Sequence, residues 1–121
     1  MSCFPCMSAH EPALILRQIV EVCDKALELR REMTWEGFRA DWRQQMLAER
    51  LVEVIGEAVK RLPEELRLRY PQTPWRKISG TRDYIAHGYD SVDYDVIWSV
   101  LDVEAARLKE TVEAILAAEY P

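Results

Sequence analysis

The sequence predicts an all-α protein, an antiparallel four-helix bundle with short extra helical turns. Three observations carry this. Apolar residues recur in steps of three and four along four separate stretches. Proline, glycine and capping residues fall between those stretches, and strand signals are nearly absent. With 121 residues, 49% hydrophobic and 31% charged, the chain has the size and composition of one globular domain spanning 1–121, its first ten residues expected to fray.

The first helix begins near Glu11-Pro12, where proline suits the first turn. Ile15, Ile19, Val22, Ala26, Leu29 and Met33 then form one continuous stripe. Thr34 is placed to cap a short turn over Trp35-Glu36-Gly37-Phe38. A second long helix is expected from about Asp41 to Arg61, with Leu47, Leu51, Val54, Ile55, Ala58 and Leu62 on its inner face. Gly56 within it suggests a close helix–helix approach, because glycine costs ~1 kcal/mol there relative to alanine. Pro63 stops this helix, and Glu64–Arg67 add one further turn. Thr73-Pro74 reads as cap and first helical residue of a third helix, running from Trp75 to His87-Gly88. Asp93 caps a fourth, to about Ala118, whose stripe is Trp98, Leu101, Ala105, Leu108, Val112 and Ile115. Four amphipathic helices with short connections favour antiparallel neighbours.

The bulk properties exclude several functions. No apolar run approaches the ~18–20 residues of a membrane span, and the N-terminus lacks the basic and apolar regions of a signal peptide, so a cytoplasmic protein is expected. A net charge of −5 argues against broad coating of nucleic acid, though not against a locally basic site. Cys3-x-x-Cys6 has no second ligand pair at metal spacing, and Cys23 reads as a packed thiol, so no metal site and no cofactor is expected. His10 stands alone in the tail and is given no role.

Chemistry concentrates in Arg82-Asp83-Tyr84-Ile85-Ala86-His87-Gly88-Tyr89. Arginine grips phosphate bidentately, and histidine titrates nearest neutral pH. Asp83 and His87 stand one helical turn apart, so the carboxylate can orient the imidazole. Arg82 lies five positions before His87, roughly 140° around the helix, where two copies of the chain could converge more fully on one phosphate. RNA brings its own nucleophile, the 2′-hydroxyl, so a proton carrier and a cation suffice for cleavage without a metal. Taken alone, the same residues also fit a helix-terminal histidine beside a surface salt bridge.

Beyond that segment, Arg82-x4-His87-x-Tyr89 resembles the R-x4-H-x-Y signature of HEPN-superfamily proteins of the HepT type. The likeness extends to Ile55-Gly56-Glu57-Ala58, Pro63–Arg67, Tyr70-Pro71, Pro74–Ile78, Gly80–Asp83, Val92-Asp93 and Ile97-Trp98, and covers nearly everything from Leu14 onward. Asp83 departs from the asparagine more usual in HepT proteins. The resemblance implies a homodimeric ribonuclease toxin whose paired motifs form one RNA-cleaving cleft. It also implies an MNT-type nucleotidyltransferase partner that neutralises the toxin by transferring AMP to Tyr89. Arg82 would then polarise the scissile phosphate, His87 act as general acid or base, and Asp83 position it. Arg76 and Lys77 are added as RNA-backbone contacts, against a reading as solvated surface charge. The competing function is a non-catalytic nucleotide- or RNA-binding module that mainly engages the nucleotidyltransferase.

Other features read more plainly. Trp35, Trp42, Trp75 and Trp98 are expected as core or interface anchors rather than base-stacking platforms. Arg61, Arg67 and Arg69, interrupted by Glu64 and Glu65, read as a solvated face.

Overall fold

The computed structural model describes residues 11–87 and 93–121, the side chains of residues 82–87 excepted. Helix α1 spans Pro12–Arg31, α2 Trp35–Ala40, α3 Trp42–Arg61, α4 Glu64–Arg69 and α5 Trp75–His87. The last helix opens as α6, Tyr94–Ser99, passes through a π-helical turn at Val100–Glu104 and continues as α7, Ala105–Glu119. No strand occurs among the described residues, and none of their helices is long and apolar enough to cross a membrane.

Local chemistry sets the boundaries. The Thr34 hydroxyl accepts from the Gly37 N–H at 3.0 Å, closing the first turn of α2. Asp41 caps α3 by accepting from the Arg43 N–H at 2.9 Å, and Asp93 caps α6 by accepting from the Asp95 N–H at 2.9 Å. Arg30 and Arg31 end α1, and Lys60 and Arg61 end α3, where cations suit the negative pole of the helix. Helix α1 stops at Arg31, so Met33 is buried from the loop that follows it.

The main packing pairs are α3 with α5, α1 with α7 and α1 with α3. Direction follows from two ion pairs. Arg30, at the end of α1, meets Asp102 near the start of the last helix at 2.9 Å. Asp24, two turns earlier on α1, meets Lys109 at 2.6 Å, two turns further along the other helix. The helices are therefore antiparallel. With α3 they enclose a core that includes Leu16, Ile19, Ile55, Leu62, Leu101 and Ile115, all buried. Phe38 is fully buried in an aromatic layer, 5.3 Å from Trp98 and edge-on to Tyr94 at 5.7 Å. Trp35 stands edge-on to Trp98 at 5.5 Å, and the Arg30 guanidinium lies 4.3 Å over Trp98.

Two sequence expectations need correction. Leu47 is not an inner residue; it is 51% exposed, beside Met46 at 60%. Helix α3 buries Ala48, Val52, Ile55 and Val59, a stripe one position round from the one that begins at Leu47. Of the two places expected for Trp42, core or interface, the core is ruled out: it is 61% exposed, with the Arg43 guanidinium 4.8 Å from its ring. Trp75 is buried, while Trp35 and Trp98 are half-buried against the core.

The π turn accounts for a feature of the last stripe. Ile97, Leu101 and Ala105 are spaced by two successive fours. An unbroken α-helix would carry Ala105 about 80° away from Ile97. A turn with i→i+5 bonding absorbs that drift and keeps Ile97, Leu101, Ala105 and Leu108 facing the core together.

Candidate active site

Helix α5 is anchored at its N-terminal end. Trp75 is 6% exposed, and its indole N–H donates to the Tyr70 carbonyl at 2.9 Å. The Ile78 N–H donates to the Pro74 carbonyl at 3.1 Å, closing the first turn behind the proline. Ile78 packs at the edge of the core. Ser79 and Thr81 donate their hydroxyls back to the carbonyls of Arg76 and Lys77, at 3.2 and 3.0 Å, bonds that loosen a helix slightly.

Arg82, Asp83 and His87 occupy the last turns of this helix. Their positions keep the register expected from spacing: Asp83 one turn before His87, Arg82 on an adjoining face. Their side chains, and the whole of Tyr89 and Gly88, lie outside the described residues. Arg76 and Lys77, in the first turn, are exposed, and neither forms an ion pair among the described residues.

Among the hollows that border α5, two flank the approach to the motif. One, of about 280 Å³, is walled by Val52, Ile55, Ile78, Val100 and Leu108, with Thr81 on its side next to the motif. The π turn helps form it, and the paired steps of four were its only trace in the sequence. The other, of about 400 Å³, lies at the N-terminal end of α5 and is lined in part by Glu64, Arg67, Arg76 and Lys77.

The basic residues read as one solvated face prove unlike each other. Arg61 donates to the Gln18 carboxamide at 3.1 Å, and Arg69 holds Glu119 at 2.6 Å. The Arg67 Nε is buried and has no hydrogen-bond partner among the described residues. Titrating groups elsewhere serve packing. Burial pushes the Cys23 thiol up to about 12, with Asp24 adding to the rise and Lys109 opposing it, so this cysteine stays protonated and unreactive. Burial, and then a hydrogen bond to Glu49, raise the Tyr94 phenol.

Comparison with known proteins identifies the family. A family model described as "Ribonuclease HepT-like" matches residues 19–115. A protein of Caldanaerobacter subterraneus named "Putative RNase TTE0752" is 35% identical over 108 residues, 89% of this chain and 96% of its own length. "Putative RNase MJ1216" of Methanocaldococcus jannaschii is 34% identical over 110 residues, 91% of each chain. "Probable ribonuclease HepT" of Thermococcus cleftensis is 33% identical over 100 residues, 83% of this chain and 91% of that one. No solved structure matches the chain significantly. With a match across most of its length, the chain belongs to the ribonuclease HepT-like family of HEPN-type ribonucleases.

Proposed function

We propose that the protein is a metal-independent endoribonuclease toxin, paired with an MNT-type nucleotidyltransferase and active as a homodimer in the cytoplasm. The observation that supports it most is the run of Arg82, Asp83 and His87 along the last turns of one helix, within a family of ribonucleases. In this reading the RNA 2′-oxygen attacks the adjacent phosphorus and the bond to the 5′-oxygen breaks. One His87 takes the 2′-hydroxyl proton, and the His87 of a second copy returns a proton to the departing oxygen. Arg82 holds the charge that builds on the phosphoryl oxygens, and Asp83 keeps the imidazole oriented. The products are a 2′,3′-cyclic phosphate and a free 5′-hydroxyl.

Tyr89 is the off-switch. Its phenolic oxygen attacks the α-phosphorus of ATP on the partner enzyme, pyrophosphate leaves, and the phenolic proton passes to solvent. The AMP left behind puts negative charge and bulk where substrate phosphate must sit.

The decisive assay is cleavage of RNA by unmodified protein in EDTA. Fragments ending in cyclic phosphate are expected, and intact RNA would contradict the reading. Modification is checked by intact mass after co-expression with the partner. The mass should rise in steps of one AMP, and Tyr89→Phe should remove the steps.

A further inference from the structure

We propose that the cleft at the N-terminal end of α5 is a phosphate subsite, holding the RNA backbone a few nucleotides from the scissile bond with Arg67 as its anchor. The proposal rests on the ribonuclease reading of the motif, and it involves only residues outside that motif.

The charge balance of the cleft comes first. Arg67, Arg76 and Lys77 face a single carboxylate, Glu64, around a hollow of about 400 Å³. None of the three cations forms an ion pair among the described residues. Arg67 is the unusual one, because its Nε is buried and unmet. Native proteins leave few buried donors in that state, and each such group calls for a ligand or a reason. Arginine suits phosphate because its planar guanidinium can meet two phosphate oxygens at once, and Arg67 lines the cleft together with Arg76 and Lys77. The cleft also sits at the positive pole of α5, which adds to the same preference.

Helix register links this cleft to the motif. Arg76, Gly80, Asp83 and His87 follow one another at intervals of four, three and four, forming one line along α5. The line runs three turns, roughly 16 Å at 1.5 Å per residue. Gly80 is its gap: the residue is exposed, and a Cβ built on it meets nothing within 4 Å. A glycine inside a helix is otherwise unfavourable, and here no packing within the described chain explains it. At Gly80, midway along this line, the helix surface therefore carries no side chain, which leaves room for a strand lying along the helix.

The test uses full-length His87→Ala protein, which binds without cutting, and a short fluorescent oligouridylate titrated at several salt concentrations. Each phosphate contact contributes about 0.7 to the salt slope on single strands. Arg67→Gln and Arg76→Gln should each lower the slope by about that amount and weaken binding. Gly80→Glu, at an exposed position with room for a Cβ, should weaken binding by placing a carboxylate in the lane. In the cutting protein, Arg76→Gln should act through KM rather than kcat. An unchanged slope and affinity for Arg76→Gln and Gly80→Glu, both exposed and safe for folding, would overturn the subsite even if RNA is cut. Reduced slopes without any cutting by the parent protein would uphold the subsite and defeat the ribonuclease mechanism instead. A change in oligomeric state with RNA affinity unaltered would assign the surface to a second copy of the chain and overturn the proposal.

Discussion

Arg67 and Arg69 are two residues apart on one short helix and meet opposite fates. Arg69 reaches the C-terminal end of the last helix, where Glu119 takes two of its N–H groups and also accepts the Tyr70 hydroxyl. Arg67 turns to the cleft beside α5 and its Nε bonds to nothing among the described residues. The same contrast holds more widely. Arg30 and Lys109 are engaged by acids that tie α1 to the last helix, while Arg76 and Lys77 on the motif helix have no such partners among the described residues. Cations that join helices are met by acids of a neighbouring helix, and those on the face leading to the motif are left for a ligand. An acidic protein can thereby present a basic lane without being basic overall.

The largest effect on the ligand-facing side should come from His87→Ala. Loss of general acid–base catalysis is worth about 10²–10⁴-fold, so RNA cleavage should fall by that much while the circular dichroism spectrum and melting temperature stay as in the parent. On the fold side the counterpart is Phe38→Ala. Removing a fully buried ring from the aromatic layer should cost about 3–5 kcal/mol in urea unfolding. A loss well under 1 kcal/mol would mean the aromatic layer is not a packing centre of the fold.

Smaller changes sharpen the contrast. Gly80→Ala should stabilise the protein by up to about 1 kcal/mol, since a methyl group has room there and alanine favours helix. A lower melting temperature would reveal a neighbour in the lane.

Smallest is the Glu119 clamp, exposed enough for water to weaken it. Arg69, and then Tyr70, hold this carboxyl below its usual range. A depressed carboxyl contributes fully above its unfolded pKa, and the contribution is lost as pH falls through the folded value. Glu119→Gln should therefore lower the melting temperature slightly near neutral pH and leave a shallower loss on acidification. An identical acid limb in parent and variant would remove Glu119 from the account.

Much of this was legible from neighbouring residues alone. The caps at Thr34 and Asp93 need only a side chain and an N–H two or three residues on, and they form as the sequence suggests; Asp41, expected only as the start of its helix, caps it in the same way. The α1 stripe is legible because α1 offers one dominant apolar face. Helix α3 offers two overlapping ones, and only its neighbours decide that Ala48 and Val52 turn inward while Leu47 does not. The fates of the arginines were hidden for a related reason. Glu119 lies 50 residues from Arg69, so no local pattern separates that arginine from Arg67. Of the site, the helical register of Arg82, Asp83 and His87 could be read from spacing, whereas Tyr89 gained its role only by resemblance to a family.

The division of labour between the two neighbouring arginines is tested most directly by exchanging each for glutamine in the His87→Ala protein. Melting temperature and the salt dependence of oligouridylate binding are measured on both variants. Arg67→Gln should reduce the salt slope by about 0.7 and leave the melting temperature close to the parent's. Arg69→Gln should do the reverse, lowering the melting temperature while the slope stays put. Equal slopes for the two variants, or a slope that falls only with Arg69→Gln, would contradict the account.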